Sequence, residues 1–375
     1  MKTHIGFPDL LPKKRDGASG LLRGYASFFL LAFFTLSALH LRAESDKKQQ
    51  EARLEKDNQR ISDFSLRMEG FYELGNEEKW RDITEKVLES PETSENSKSS
   101  IRNYHRRIFA FKYPSDHLWI KGFISFTPHP IHHPLLILYR WGNGLFALMN
   151  PGIELATYRD YTVISSTLRG GVSEGVDEFG GADLDDMNNL MNFIPTLAKE
   201  LGIVLYPPCV FMLGPSRGGL EMFLTLSHFP ELQKRVNKIV ALSAILDLHQ
   251  LLHDRSQDME VMLEQQFGLP KGPKRNAWIA KRDPLKTVPY IDRSLPILIV
   301  QGTADERISV SEGKHMVNAL RHSGHHVDDW EIHKGTHVLT NIPSLMNAIA
   351  HWLESNSPCT LIGSGKPQTT RTVQN

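Results

Sequence analysis

The sequence predicts an α/β fold: a mostly parallel central sheet with helices on both faces, preceded by a short helical N-terminal region. Two observations carry that prediction. Beyond Arg107, short continuous apolar runs of strand length alternate with longer stretches of helical spacing. Continuous apolar strands need cover on both faces, and intervening helices supply it. From Glu44 to about Lys86 the chain is charged, and its apolar residues fall at helical rather than alternating intervals.

The 375 residues can bury one large core or two modest ones. Lys+Arg and Asp+Glu are each 43, for a formal net charge of +0. That balance argues against a nucleic-acid partner, which is usually met by a basic surface. The two cysteines, Cys209 and Cys359, give no disulfide framework and no zinc-ligand set. Cys209 sits in an apolar strand-like run and reads as a buried inert thiol.

The first element is an address. Lys13, Lys14, Arg15 and Arg23 precede the apolar run YASFFLLAFFTLSALHL, Tyr25 to Leu41, and RAES follows. A basic lead, a short apolar run and a small residue at Ala43 match an export signal. The run is somewhat short for a spanning helix, which needs ~20 apolar residues. Residues 1–43 therefore read as a signal peptide or a membrane anchor. Either would leave the remainder outside the cytoplasm, periplasmic or secreted, or associated with the membrane through that segment.

Residues 44–100 read as a charged helical region and linker. Leu54, Ile61, Phe64, Met68 and Phe71 are its spaced apolar positions. SPETSENSKSS, Ser90 to Ser100, reads as a polar linker or exposed loop. RIFAFKYPSDHLWIKGFISF, Arg107 to Phe126, reads as two strands joined by the turn PSDH. Further strands are expected at Leu135–Arg140, Thr162–Thr167, Cys209–Leu213, Lys238–Ser243, Ile297–Gln301 and Asp328–Ile332. Helices are expected at Asp185–Leu201, Arg217–Phe229, Ser311–His322 and Pro343–Glu354. The principal domain is expected over residues 101–355, and the polar tail 356–375 reads as disordered.

CVFMLGPSRGGLEMFLTL, Cys209 to Leu226, places a serine between glycines where a buried strand gives way to a helix. Gly214, Ser216 and Gly218 have the G-x-S-x-G spacing of a nucleophile elbow. The glycines keep side chains from colliding with the flanking strand and helix. The turn exposes the serine oxygen above the sheet and aims early helix N–H groups at a developing oxyanion. A serine hydroxyl also needs a base, and an acid to orient it. Asp305 follows the strand ILIVQG, and His337 follows DDWEI, each just beyond a strand end and in the order serine, acid, histidine. His337 is preferred to His333 because it lies further into the loop, where a side chain reaches over the sheet.

These residues resemble the bacterial prolyl oligopeptidase family of serine peptidases, within the α/β-hydrolase superfamily, over roughly Arg106 to Leu353. GPSRGG, TLRGGVSEGVDEFGGADLDD (Thr167 to Asp186), QGTADERIS and HKGTHVL each resemble a segment of that family, with Gln301 where histidine is common. The resemblance implies a glycine-rich oxyanion loop at LILYRWGNG, Leu136 to Gly144. Trp141-Gly142 stands there in place of two glycines. Any residue but proline keeps its N–H, so Trp141 can still donate, although its bulk should narrow the pocket or alter the loop. The second donor would be the N–H of Arg217. The large members of the family carry a β-propeller before the hydrolase domain. A propeller needs on the order of 160 residues, and the charged helical stretch from Glu44 to Arg107 has no room for one.

Other clusters read without chemistry. HPIHHP, with His129, His132 and His133, is a proline-bounded loop before a strand rather than a metal site. RHSGHH, with His322, His325 and His326, closes a helix, where cations suit the terminus. Arg169 and the acidic run Glu174, Asp177, Glu178, Asp183, Asp185, Asp186 read as loop-ordering ion pairs and helix-start charges.

The expected protein is thus an exported serine hydrolase, a prolyl oligopeptidase-like peptidase acting on peptide amides or esters. Ser216 would attack, His337 act as base and then acid, and Asp305 hold the imidazole. No cofactor or metal is implied. A carboxylesterase for small esters remains open, as does a hydrolase-fold binding protein that has lost catalysis.

Overall fold

The computed structural model describes residues 48–49, 51–128, 133–153 and 155–355. The apolar run Tyr25–Leu41, His129, His132, Cys359 and the tail 356–375 lie outside the described residues. Among the described residues, no helix is long and apolar enough to cross a membrane. The chain divides into Met1–Asp57 and Asn58–Asn375. In the first unit, residues 51–57 are helical. All that follows concerns the second.

Its centre is a nine-stranded sheet in the order β1-β2-β3-β5-β4-β6-β7-β8-β9. β1 is Trp80–Asp82, β2 Arg107–Ser115, β3 Leu118–Phe126, β4 His133–Leu138 and β5 Thr162–Ser166. β6 is Leu205–Pro215, β7 Lys238–Leu242, β8 Ile297–Gly302 and β9 Val327–Ile332. The pairs β1–β2, β2–β3 and β3–β5 are antiparallel, and all later pairs are parallel. Ser115 faces Leu118 across the β2–β3 hairpin. Its turn is therefore the two residues Asp116-His117. Asp116 takes φ 54° there, a left-handed conformation that Asp tolerates better than most residues.

β8 explains why these strands read as unbroken apolar runs. Ile297 and Ile299 join the core on one face, while Leu298 and Val300 join the core on the other. The first core is closed by α4 (Asp183–Leu201), α5 (Arg217–His228) and α10 (Val310–His322). They contribute Leu190 and Ile194, Met222 and Phe223, and Met316 and Leu320. The opposite core takes Met68 from α1 (residues 58–68), Val87 from α2 (Thr84–Glu89) and Ile101 from α3 (Glu95–Asn103). It also takes Leu345 and Ile349 from α11 (Pro343–Glu354).

Two expectations are corrected here. Ser90–Ser100 is not a linker, because α3 begins within it. Ser94 caps that helix by accepting from the Ser97 amide at 3.2 Å, and Ser97, Ser100 and Ile101 are buried. Small serines turned toward the core gave the stretch its polar look. Cys209 is fully buried as expected, but it is disulfide-bonded rather than a thiol.

From β4 the chain places β5 on one side and β6 on the other. At such a reversal parallel sheets bind their ligands beyond the carboxyl ends of the strands, here β4 and β6.

Candidate active site

Ser216 sits between β6 and α5 with φ 52° and ψ −125°, a strained conformation for a residue with a side chain. The strain is held by its own backbone. The Ser216 amide donates to Leu242 O at 3.0 Å, and its carbonyl accepts from Gly219 at 3.1 Å and Ile245 at 3.0 Å. The elbow is too tight for a second side chain nearby. A Cβ at Gly214 would meet Gly218 O at 2.6 Å, and one at Gly218 would meet Arg140 O at 2.7 Å.

Asp305 and His337 arrive on the loops after β8 and β9, and these loops are stitched together. Ala304 donates to Gly335 O at 2.9 Å and Thr303 to Ile332 O at 3.0 Å. Asp305 Oδ1 accepts the amides of Arg307 and Ile308 at 2.8 and 2.9 Å, leaving Oδ2 for His337 Nδ1 at 2.9 Å. His337 Nε2 lies 3.1 Å from Ser216 Oγ. A carboxylate only accepts, so Nδ1 carries the proton and Nε2 is left to accept from the serine hydroxyl. The Asp305 side chain is fully buried, while that of His337 retains 17% exposure. His333 lies exposed at the start of the same loop.

Of the other two expected residues, Arg217 follows the serine in the chain and Trp141 lies on the loop after β4. The Arg217 amide opens α5, among the N–H groups a helix leaves without an internal acceptor. Trp141 follows β4, and its ring packs against the core on the face covered by α1–α3 and α11. Its Nε1 is buried without a hydrogen-bond partner.

Sequence reasoning gave Arg217 a backbone role only and missed its side chain. The guanidinium is buried and bonded to Gly142 O, Asp177, Asp183 and Glu221, and it lies 4.8 Å over the Phe179 ring. An Arg–Glu pair four residues apart on one helix was the available signal. Burial drives the Glu221 carboxyl well above its ordinary range, and Asp183 adds to the rise. Burial also pushes Asp177 up, but the Arg217 and Arg140 guanidiniums outweigh it and hold Asp177 below its ordinary value. Burial, reinforced by Arg217, lowers Arg140 to about 10.

The acidic run orders its loop as expected: Arg169 grips Asp186 and Asp116. His133 Nδ1 meets Asp160 O at the start of β4. Of the second histidine cluster, His322 bonds a carbonyl in the last turn of α10, whereas His325 is buried between the carbonyls of Leu320 and Ile291. Among the described residues no group of three potential ligands could hold a metal.

The short α6 (Pro230–Gln233) precedes β7, and after β7 come α7 (Leu248–Asp254), α8 (Ser256–Val261), a π-helical turn at Met262–Gln266 and α9 (Pro273–Arg282). Gln266 reaches the loop after β4, accepting from Asn143 Nδ2 at 3.1 Å. The helical insertion therefore touches the loop after β4.

A strained serine at the β6–α5 turn, with acid and histidine loops beyond β8 and β9, is the layout of an α/β-hydrolase. The chain belongs to the prolyl oligopeptidase family, whose sequence profile matches residues 152–357, more than half its length. Among solved structures, an acylaminoacyl peptidase in complex with Z-Gly-Gly-Phe-chloromethyl ketone is similar at TM-score 0.54 and 16% identity. The similarity covers 65% of this chain and 41% of that one. An orthorhombic crystal form of the Pyrococcus horikoshii acylaminoacyl peptidase is similar at TM-score 0.54 and 15% identity, covering 66% and 41%. At these identities the likeness is one of fold, and it spans well under two thirds of the peptidases' length. No curated protein matches the sequence.

Proposed function

We propose that this protein is a serine hydrolase of the peptidase type, cleaving amide or ester bonds through an acyl-enzyme on Ser216. The observation that carries the reading is the hydrogen-bonded chain Ser216–His337–Asp305, at 3.1 and 2.9 Å. His337 takes the hydroxyl proton as Ser216 Oγ bonds to the acyl carbon, then gives it to the departing amine or alcohol. Water repeats the sequence to release the acid. Asp305 fixes the imidazole and stabilises its charged form. The amides of Trp141 and Arg217 donate to the tetrahedral oxyanion.

The segment between Asn58 and β2 holds short helices and β1. The reading takes small esters and short peptide amides as substrates, with poor action on folded proteins. Export is part of the proposal. It rests on the basic lead and apolar run at Tyr25–Leu41.

The test is labelling by a fluorophosphonate, followed by a substrate panel of a chromogenic ester, a dipeptide amide, an N-acylated peptide and an unfolded protein. Labelling of the wild type and not of Ser216→Ala is expected, with turnover of the small substrates. Efficient cleavage of the long chain with none of the small substrates would overturn the size assignment.

A further inference from the structure

We propose that the Arg217 side chain is a positioning residue for the loop after β4, so that one residue serves both halves of the oxyanion hole. Its amide is one donor, and its guanidinium holds the loop that carries the other. The inference rests on the proposed hydrolytic role of Ser216.

Arg217 Nη1 donates to Gly142 O at 2.8 Å, the carbonyl immediately after Trp141. The same Nη1 meets Asp177 Oδ2 at 2.6 Å, and that oxygen accepts the Gly144 amide at 2.9 Å. The loop is thus gripped at Gly142 directly and at Gly144 through a carboxylate. Opposite, Asp183 at 2.6 Å and Glu221 at 2.5 Å fix the guanidinium plane, and the Phe179 face closes over it. Arg140, from the loop itself, adds a second grip through Gly144 O at 2.7 Å and Phe146 O at 3.1 Å.

The need for such a cradle follows from Trp141. An oxyanion donor must stand within hydrogen-bond reach of an oxygen that exists only in the transition state. A loop with a large residue at the donor position has a heavy side chain to place, and a small drift of its backbone would take the amide out of range. Five planar donors aimed at a carbonyl and at the side-chain oxygens of Asp177, Asp183 and Glu221 resist that drift better than a lysine could, since a guanidinium has fixed geometry and an ammonium does not. The fold alone does not require these bonds to converge on the residue following the nucleophile.

The test compares Arg217→Lys and Asp177→Asn with the wild-type full chain. Turnover of a chromogenic ester is measured beside inhibition by a peptidyl trifluoromethyl ketone and beside thermal unfolding. The ketone carbon bonds Ser216 Oγ, the proton passes to His337, and the former carbonyl oxygen becomes the anion that the hole must bind. For Arg217→Lys, kcat should fall by ~10²-fold, the loss expected when a reacting group is misplaced by about an ångström. KM should change little, and ketone affinity should fall in step with kcat/KM. Asp177→Asn, which keeps an acceptor oxygen but loses the charge, should show the same pattern more weakly, and it decides the matter if Arg217→Lys does not fold. A folded variant with wild-type kcat, or one that loses kcat with undiminished ketone affinity, would overturn the inference. Ser216→Ala separates the two readings. If it stays active, the hydrolytic assignment itself falls; if it is inactive while the cradle variants match the wild type, only the cradle falls.

Discussion

His337 Nε2 and Ser216 Oγ lie 3.1 Å apart, although 121 positions separate them in the chain. The approach is set by the sheet. β6 stands next to β7, then β8 and β9, so loops at the same end of these strands converge. Ser216→Ala and His337→Ala should each lower turnover by ~10⁴-fold or more, and Asp305→Ala by a similar factor, with the fold intact. His333→Ala should leave turnover unchanged. Steady-state kinetics with circular dichroism checks this, and a silent His337→Ala would reassign the base.

The elbow glycines should fail for steric rather than chemical reasons. A Cβ at Gly218 meets the Arg140 carbonyl at 2.7 Å and Tyr139 Cβ at 2.8 Å, and a backbone atom cannot swing aside. Gly218→Ala should cost about 1–3 kcal/mol, the usual penalty for overpacking. Urea unfolding of the variant measures it.

Glu312 on α10 gives a pH dependence with a defined sign. Its side chain is buried, with Oε2 accepting the amides of Leu246 and Asp247 and Oε1 without a partner. Burial raises its carboxyl well above the ordinary 4.5, with Asp247 and Asp254 adding to the rise against those two amide bonds. A raised folded-state value means the folded state holds the proton more tightly than the unfolded chain does. Its contribution is fully present below 4.5 and is lost as pH rises through the folded value. Glu312→Gln should therefore remove that decline and gain most over the wild type on the alkaline side. Urea midpoints at a series of pH values give the answer, and parallel curves for both proteins would refute it.

Reduction should weaken the fold through Cys209. A native disulfide typically contributes about 2–4 kcal/mol, so dithiothreitol should lower the urea midpoint by a corresponding amount. A reporter fused after Ala43 should appear outside the cytoplasm. A cytosolic, soluble reporter would count against export.

Much of this fold could be read from the chain because its parallel strands are buried on both faces. Pro343–Glu354 and the β7 and β8 segments stand where apolar runs and flanking turn residues put them. The Ser216, Asp305 and His337 positions were legible because a strand end marks each. β1 was not, since Trp80–Asp82 is three exposed residues that become a strand only by pairing with β2. α3 was hidden by its serines. Of the Arg217 cluster, only the Glu221 pair on the same helix could be read from spacing; Asp177 and Asp183 come from a loop and from α4, and only the tertiary fold brings them to the guanidinium.

Among the described residues β9 closes one border of the sheet, with a neighbour on one side only. An open row of backbone donors and acceptors invites another molecule's strand to continue the ladder, which is how fibres begin. Six residues, VDDWEI, carry Asp328, Asp329 and Glu331. Two such borders approaching each other would bring their acidic side chains together, although Glu331 is paired with Lys314 at 3.2 Å and Asp328 accepts from Trp352 Nε1 at 2.7 Å. The outer strand that supports the histidine loop thus also carries charge that works against a second strand joining it.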